Sequence, residues 1–253
     1  MGISVKITNQ YGSWASYKMN GAGICLTSVA GITPPKATIA TAEIATKDGS
    51  IFTNAQIQNR NIVLTFDITG AKPETVRTGL YYYFKVKEPV SLEIKTGTRT
   101  ATIDGYVESI TADPFTKGQR VQISIICPEP YLLGDLMTYT GTGSVNVVPL
   151  SDTKHGAVFT VTLAAASSGL MVYNSATSES IDLTGEYAAN DVIVIDTRLG
   201  MKSVKKNGAN ILGDVDLNNT EWIQLTPYDN NTISVSPNTA AIKVEFNTHY
   251  EGL

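Results

Sequence analysis

The fold of this chain is decided by the blocks LYYYFKVK (residues 80–87), IDGYVESI (103–110) and QRVQISIICPEPYLLGD (119–135). None of these blocks matches a catalytic signature such as a nucleophile elbow or a phosphate-binding glycine loop. Their order along the chain is more informative than any single residue in them.

The composition indicates a folded, largely uncharged chain. Its 253 residues suit one large all-β unit or two domains, and either arrangement can bury a proper core. Hydrophobic residues make up 42% and charged residues 17%, which is typical of a globular protein with a Thr-, Ser- and Asn-rich surface. We expect a mainly β protein.

Charge is distributed unevenly between the two parts of the chain. The net charge of −4 argues against generic binding to a nucleic acid backbone, and we expect no nucleic acid sequence recognition. Residues 1–134 contain 13 Lys+Arg and 10 Asp+Glu, whereas residues 135–253 contain 6 and 13. The two parts are therefore expected to have different neighbours.

The cysteines and the first residues predict an ordinary cytoplasmic origin. Cys25 and Cys127 lie in apolar company, which favours two buried free thiols over a disulfide. The segment that starts at Met1 has no signal-peptide core, and no apolar run reaches the roughly 18 residues of a membrane span. We expect a soluble protein with no membrane partner.

Alternating apolar residues predict strands with one buried face. The clearest cases are the segments 62–68 and 242–247. Between residues 37 and 68, Asp48 and Gly49 separate two extended stretches rich in Thr, Ala and Ile. This pattern predicts a long hairpin that projects from its domain.

One helix is predicted, from Pro73 to about Phe84. Proline is favourable at the first helical position, and Glu74 complements the positive end of the helix dipole. Val76, Leu80, Tyr83 and Phe84 would cover one face and leave Tyr82 outside. An exposed Tyr82 is either a partner contact or an ordinary surface aromatic.

The texture of the sequence changes after residue 134. Short strands separated by Gly, Asn, Asp and Ser predict a β-sandwich over residues 145–253. The segment 135–144 contains Gly-Thr-Gly-Ser and is interpreted as a linker. The domains expected are thus 1–134, with one helix and the projecting hairpin, and 145–253.

No pattern predicts catalysis, a metal or a cofactor. His155 and His249 are far apart in sequence, and neither cysteine has a second thiol nearby, so zinc-type spacing is absent. The segment that begins at Asp214 starts like a calcium loop but has Asn219 at the position of the glycine. We expect no enzyme, no metal and no cofactor.

Trp222 is the residue most suited to a glycan contact, because an aromatic ring can stack on a sugar if it stands on a concave sheet face. Packing in the core or at an interface is the alternative. Both interpretations stay open at this stage.

Taken in order, these blocks resemble distal tail proteins of long-tailed, non-contractile bacteriophages. The resemblance extends beyond the opening blocks to both halves of the chain. It includes the segments 28–52, 60–62, 188–197, 204–217, 223–236 and 247–253. It implies an N-terminal β-sandwich-like ring domain and a C-terminal galectin-like or carbohydrate-module-like β-sandwich.

The resemblance also implies a function. Members of this family form a homo-hexameric ring hub, as a single ring or as stacked rings. The ring joins the tail tube to the tail-tip protein and carries receptor-binding proteins or fibres. The protein would be made in the bacterial cytoplasm and located at the virion tail tip. The candidate subunit contacts are the predicted hairpin tip and the helix, namely Lys47, Asp48, Gly49, Ser50, Ile51 and Tyr82.

Two alternatives belong to other classes. The C-terminal sandwich could be a lectin-like module that binds host cell-wall glycan through Trp222, because a scaffold does not fix its ligand. A tail-associated wall hydrolase is the second alternative, but the sequence has no recognisable nucleophile or metal centre for it.

Overall fold

A computed structural model describes residues 2–19, 21–45, 48–69, 72–113 and 119–253. The chain is mainly β and divides into two compact units, which confirms the predicted fold class. Unit 1 comprises Met1–Gly134 together with Tyr250–Leu253, and unit 2 comprises Asp135–His249. The last four residues thus belong to unit 1, whereas the sequence had placed them in the second domain.

Unit 1 contains one helix and a series of antiparallel strands. The helix is α1 (Pro73–Tyr83). The strands are β1 (Ser4–Asn9), β2 (Trp14–Lys18), β3 (Ile24–Ala30), β4 (Ala37–Glu43), β5 (Ser50–Ile57), β6 (Arg60–Ile68), β7 (Pro89–Lys95), β8 (Thr100–Ala112) and β9 (Gln119–Cys127).

The main sheet of unit 1 has the strand order β2-β1-β7-β8-β9-β6-β3. Alternate residues of its strands point into one core, as in β6, where Ile62, Leu64, Phe66 and Ile68 are buried. This is the alternation predicted for residues 62–68, which is confirmed. Burial of each such side chain stabilises the unit by about 1.5–3 kcal/mol.

Helix α1 covers the core of unit 1 between β6 and β7. It packs against β1 and β6, and it begins at Pro73 as predicted. It ends at Tyr83, one residue before the predicted end, because the backbone of Phe84 turns away from helical geometry (φ −118°, ψ 84°) while its N–H still donates to the carbonyl of Leu80. Leu80 and Phe84 are buried, so the predicted inner face is correct.

Unit 2 is a sandwich of two antiparallel sheets. Its strands are β10 (Leu132–Thr142, which starts in unit 1), β11 (Ser144–Val147), β12 (Val158–Thr162), β13 (Ser167–Asn174), β14 (Glu179–Tyr187), β15 (Val192–Asp196), β16 (Ser203–Lys206), β17 (Ala209–Asn210), β18 (Asn231–Ser236) and β19 (Ala241–Tyr250). One sheet has the order β14-β13-β18-β11. The other has the order β10-β19-β12-β15-β16-β17.

The core of unit 2 is built from the inner faces of both sheets. Val172 and Ile233 come from the first sheet, and Phe159, Ile195 and Phe246 come from the second. A single core between two sheets is the defining arrangement of a β-sandwich. The predicted sandwich is therefore confirmed.

The structure differs from the linker predicted for residues 135–144. These residues form most of β10 and the start of β11, joined by a tight turn at Gly143. Met137 and Tyr139 lie on one side of the strand and pack against the core of unit 2. The Gly-Thr-Gly-Ser residues that suggested a linker form the end of β10, the turn at Gly143 and the start of β11.

Candidate assembly surface

The predicted hairpin is present as a separate two-stranded sheet. Strands β4 and β5 pair with each other from Ala37–Ile57 to Glu43–Ser50, and neither pairs with another strand in the described part of the chain. Every residue of both strands is exposed. An isolated two-stranded hairpin is marginally stable in water, so this element is a candidate for contact with a partner.

A β-bulge gives the hairpin one apolar face. The register shifts between Ala40 and Thr41, so that Phe52 stands opposite Thr41 and Ile51 opposite Ala42. Directly paired residues share a face of the sheet, and alternate residues of β4 share it as well. The bulge therefore places Phe52 on the same face as Ile39 and Ile57.

We call Ile39, Phe52 and Ile57 the apolar hairpin face. Their side chains are exposed to 64%, 62% and 38%. The opposite face has Asn54 and Gln56 paired to Ala40 and Thr38, and nearer the tip it has the exposed Ile51 paired to Ala42. In the described part of the chain the three side chains of the apolar hairpin face are left exposed, which is typical of an interaction surface.

The predicted contact residues at the hairpin tip lie together, with one exception. Asp48 and Gly49 occupy the turn, where Gly49 has a φ of +94° that favours glycine. Ser50 and Ile51 begin β5. Lys47 lies outside the described residues.

Tyr82 lies on a different element, near the end of α1. Its side chain is 49% exposed, and its hydroxyl is 3.1 Å from Ser13 Oγ. It lines a small concavity with Tyr11, whose ring lies 4.9 Å from Lys85 Nζ. The structure thus brings Tyr82 together with the β1–β2 turn.

Trp222 is half-buried against the core of unit 2. The Lys202 ammonium lies 5.3 Å from the centre of its ring, where a sugar would have to stack. This arrangement favours the packing interpretation and gives no support to the lectin alternative.

Unit 2 also contains a serine and a histidine at hydrogen-bonding distance. Ser151 Oγ lies 2.8 Å from His155 Nε2, the geometry of a nucleophile and its base. Ser151 is 0% exposed, so no substrate can reach its oxygen. The pair therefore has a structural role.

The remaining titratable groups have bland environments. Cys25 and Cys127 are both free, but only Cys127 is buried as predicted, whereas Cys25 is partly exposed. Burial raises the pKa of the Cys127 thiol to about 12, which makes it inert. Within the described residues, no group of three His, Cys, Asp or Glu side chains could hold a metal ion. Likewise, no described helix is long and apolar enough to cross a membrane.

Sequence reasoning missed the residues that make the hairpin apolar on one side. It named Ile51, which lies on the other face, and not Ile39, Phe52 or Ile57. The available signal was composition, because β4 and β5 contain a single charged residue, Glu43. Long uncharged exposed strands are rare in monomers, since they invite pairing with other chains.

Two family models together match most of the chain. Residues 19–147 match the phage tail protein RIFT-related domain, and residues 151–250 match the siphovirus-type tail component, C-terminal domain. A search of curated proteins found no match.

Solved structures share the fold. The Dit protein of phage SPP1, described as a paradigm of the hub adsorption apparatus in phages that infect Gram-positive bacteria, aligns with a TM-score of 0.76 at 14% identity. The alignment covers 97% of this chain and 98% of that one. A chain of the phage P2 baseplate in its Ca-activated conformation aligns at 10% identity with a TM-score of 0.46, covering 96% and 97%.

Proposed function

Because the chain belongs to the siphophage distal tail protein family, we propose that six copies assemble through unit 1 into a ring at the distal end of a phage tail tube. The ring would connect the tube to the tail-tip protein. It would also provide a platform for receptor-binding proteins or fibres. The role is structural and not enzymatic.

The observation that carries this proposal is the exposed apolar hairpin face. Burial of Ile39, Phe52 and Ile57 against another subunit would remove their exposed apolar surface from water, which favours association. A closed ring requires unlike patches that meet around a rotation axis, so each subunit has a donor surface and a receiving surface. The hairpin supplies the donor surface.

The platform role is proposed for unit 2. Its sandwich carries exposed apolar side chains on loops, such as Leu199 in the β15–β16 connection. Its six Lys+Arg and twelve Asp+Glu make it acidic, unlike unit 1. A separate charge character suits a separate partner such as a receptor-binding protein.

The mass of the purified full chain tests the ring. We expect light scattering to give six times the 27.1 kDa of the chain, or a multiple of that mass, and negative-stain images of the same peak to show six-fold rings. A monomer at every concentration would contradict self-assembly.

Removal of residues 44–54 tests the hairpin. The shortened protein should remain folded but monomeric, because the deletion removes the tip and Phe52 without touching the core. Circular dichroism and thermal unfolding serve as the folding control. Intact rings from this variant would overturn the role of the hairpin.

A further inference from the structure

Arg60 joins the two segments that connect the hairpin to its domain. These are residues 31–36, which we call the entering leg, and residues 58–60, which we call the leaving leg. Arg60 begins β6 directly after the hairpin and is only 3% exposed. Its Nη1 donates hydrogen bonds to the carbonyl oxygens of Gly31 (2.5 Å) and Thr33 (2.8 Å), which lie on the entering leg. The guanidinium therefore ties the leg that leaves the hairpin to the leg that enters it.

The same guanidinium holds two further segments of unit 1. Nε donates to the carbonyl oxygen of Pro130 at 2.6 Å, and Nη2 donates to that of Glu251 at 2.7 Å. Four carbonyl acceptors thus surround a planar group whose donors point in fixed directions. Lysine could not reproduce this fork, because its charge is a point with no fixed plane.

Residues Tyr250–Leu253, which we call the tail segment, lie against the entering leg. The N–H of Leu253 donates to the carbonyl oxygen of Ile32 at 3.0 Å. A Cβ at Gly252 would lie 2.9 Å from Pro34 Cδ, which is shorter than a van der Waals contact. The tail segment therefore packs so closely on the entering leg that no side chain fits between them.

Arg99 secures the other side of the tail segment. Its Nη1 donates to the carbonyl oxygen of Gly252 at 3.0 Å, and its guanidinium lies 4.2 Å from the centre of the Tyr250 ring. The tail segment is thus held between Arg99 and the hairpin legs. Both sets of contacts lie within unit 1.

These contacts matter because, among the described residues, β4 and β5 pair with no strand other than each other. At the base of the hairpin, the N–H of Gln58 donates to the carbonyl oxygen of Lys36. This hydrogen bond joins the two legs to each other and does not join them to the rest of unit 1. The orientation of the hairpin relative to unit 1 is therefore set by its two legs. A ring closes only if the hairpin has the same orientation in each subunit.

We propose that Arg60 and the tail segment form a clamp that fixes the direction of the β4–β5 hairpin, and that ring assembly depends on this clamp. The inference rests on the proposed function, because it assumes that the hairpin mediates assembly. Arg60 is a positioning residue in this scheme and lies outside the apolar hairpin face.

The first test is Arg60→Lys, with Arg120→Lys as the matched control. Arg120 lies at the opposite end of the β6–β9 pair and makes its own two hydrogen bonds to Asp67, at 2.8 and 3.2 Å. Loss of charged hydrogen bonds should raise the concentration at half-assembly of Arg60→Lys by about tenfold or more. Arg120→Lys should assemble like the unchanged protein.

A milder variant separates direction from stability. Gly252→Ala leaves Arg60 intact but forces the tail segment away from Pro34. It should weaken assembly in the same direction as Arg60→Lys, with little change in thermal stability. Normal assembly by both variants would overturn the inference.

Spin-label distances measure the direction itself. Labels at Asn54 on the hairpin and at Lys95 on β7, in a Cys25→Ser background, should give one narrow distance distribution in monomeric protein that broadens in Arg60→Lys and Gly252→Ala. An unchanged width in both variants would contradict the clamp. Rings formed by the protein that lacks residues 44–54 would instead overturn the role of the hairpin in the proposed function, so the two failures are distinguishable.

Discussion

The imidazole rings of His155 and His249 stack inside unit 2 with their centroids 4.5 Å apart. His155 Nδ1 donates to the carbonyl oxygen of Gly156 at 2.9 Å, so Nε2 carries the lone pair and accepts from the Ser151 hydroxyl. Ser151 Oγ in turn accepts from the backbone N–H of His249 at 3.0 Å. Every group in this cluster has its role only while His155 is neutral.

The pKa of His155 predicts acid sensitivity of unit 2. Burial, reinforced by the adjacent His249, lowers this pKa from 6.5 to about 4. Between these values the unfolded chain binds a proton that the folded chain does not, so stability is complete above pH 6.5 and falls as the pH drops towards 4. The loss between pH 7 and pH 4.5 should be about 2–3 kcal/mol.

Urea unfolding of unit 2 at both pH values measures this loss. Burial also lowers the pKa of His249, which adds to the effect in the same direction. His155→Gln should remove much of the pH dependence, although it is less stable at pH 7 because the Ser151 bond is altered. An equal pH dependence in both proteins would contradict the assignment to His155.

At the scale of the element, the hairpin makes the sharpest prediction. Phe52→Asp places a carboxylate on the apolar hairpin face, whereas Asn54→Asp places the same group on the opposite face. Because both positions are exposed, each change should alter the free energy of unfolding by no more than about 0.5 kcal/mol. We expect Phe52→Asp to lose ring formation by light scattering and Asn54→Asp to retain it.

Equal assembly by the two variants would show that the apolar face does not form the interface. Equal loss would show that added charge alone, and not its face, disrupts the ring. Residues two apart on a regular strand share a face, but the bulge between Phe52 and Asn54 puts these two on opposite faces. The two variants therefore differ in the face that carries the charge and hardly in its place along the strand.

The hairpin also shows what sequence could and could not predict. Asp48-Gly49 between extended stretches was sufficient to place the turn, because turn chemistry is local. The face of Phe52 was not accessible, since it depends on a bulge that the sequence does not mark. The acceptors of Arg60, at positions 31, 33, 130 and 251, are distant along the chain and leave no local pattern.

The segment 135–144 was misread for a related reason. Gly and Thr are typical of linkers, but alternate positions carry Met137 and Tyr139, which the core of unit 2 can bury. The alternation of Met137 and Tyr139 with their neighbours is present in the sequence. It predicts a strand even though the composition of the segment is typical of a linker. The helix, by contrast, was predictable from Pro73 and its inner face alone.

At the scale of the whole molecule, unit 1 is discontinuous in sequence. It needs residues 1–134 and also Tyr250–Leu253, with all of unit 2 between them. A fragment of residues 1–134 therefore lacks the carbonyl of Glu251 that Arg60 uses. We expect this fragment to unfold at a lower temperature than one in which a flexible linker joins residues 1–134 to 250–253.

Differential scanning calorimetry of the two fragments measures the difference. Loss of a hydrogen bond to the buried guanidinium should cost about 1.5–3 kcal/mol. Equal melting temperatures would show that the tail segment contributes nothing to unit 1. The Arg60→Lys change should reduce the difference in melting temperature between the two fragments, because it removes the hydrogen bond from Arg60 to the carbonyl oxygen of Glu251.

The discontinuity of unit 1 sets an order of events during protein synthesis. Residues 1–134 leave the ribosome first, but 119 residues separate Gly134 from Leu253. At 5–20 residues per second, this interval is about 6 to 24 s. On the proposed clamp, the base of the hairpin is completed only after that delay, and we expect nascent chains on one messenger not to join one another before each has made its second sandwich.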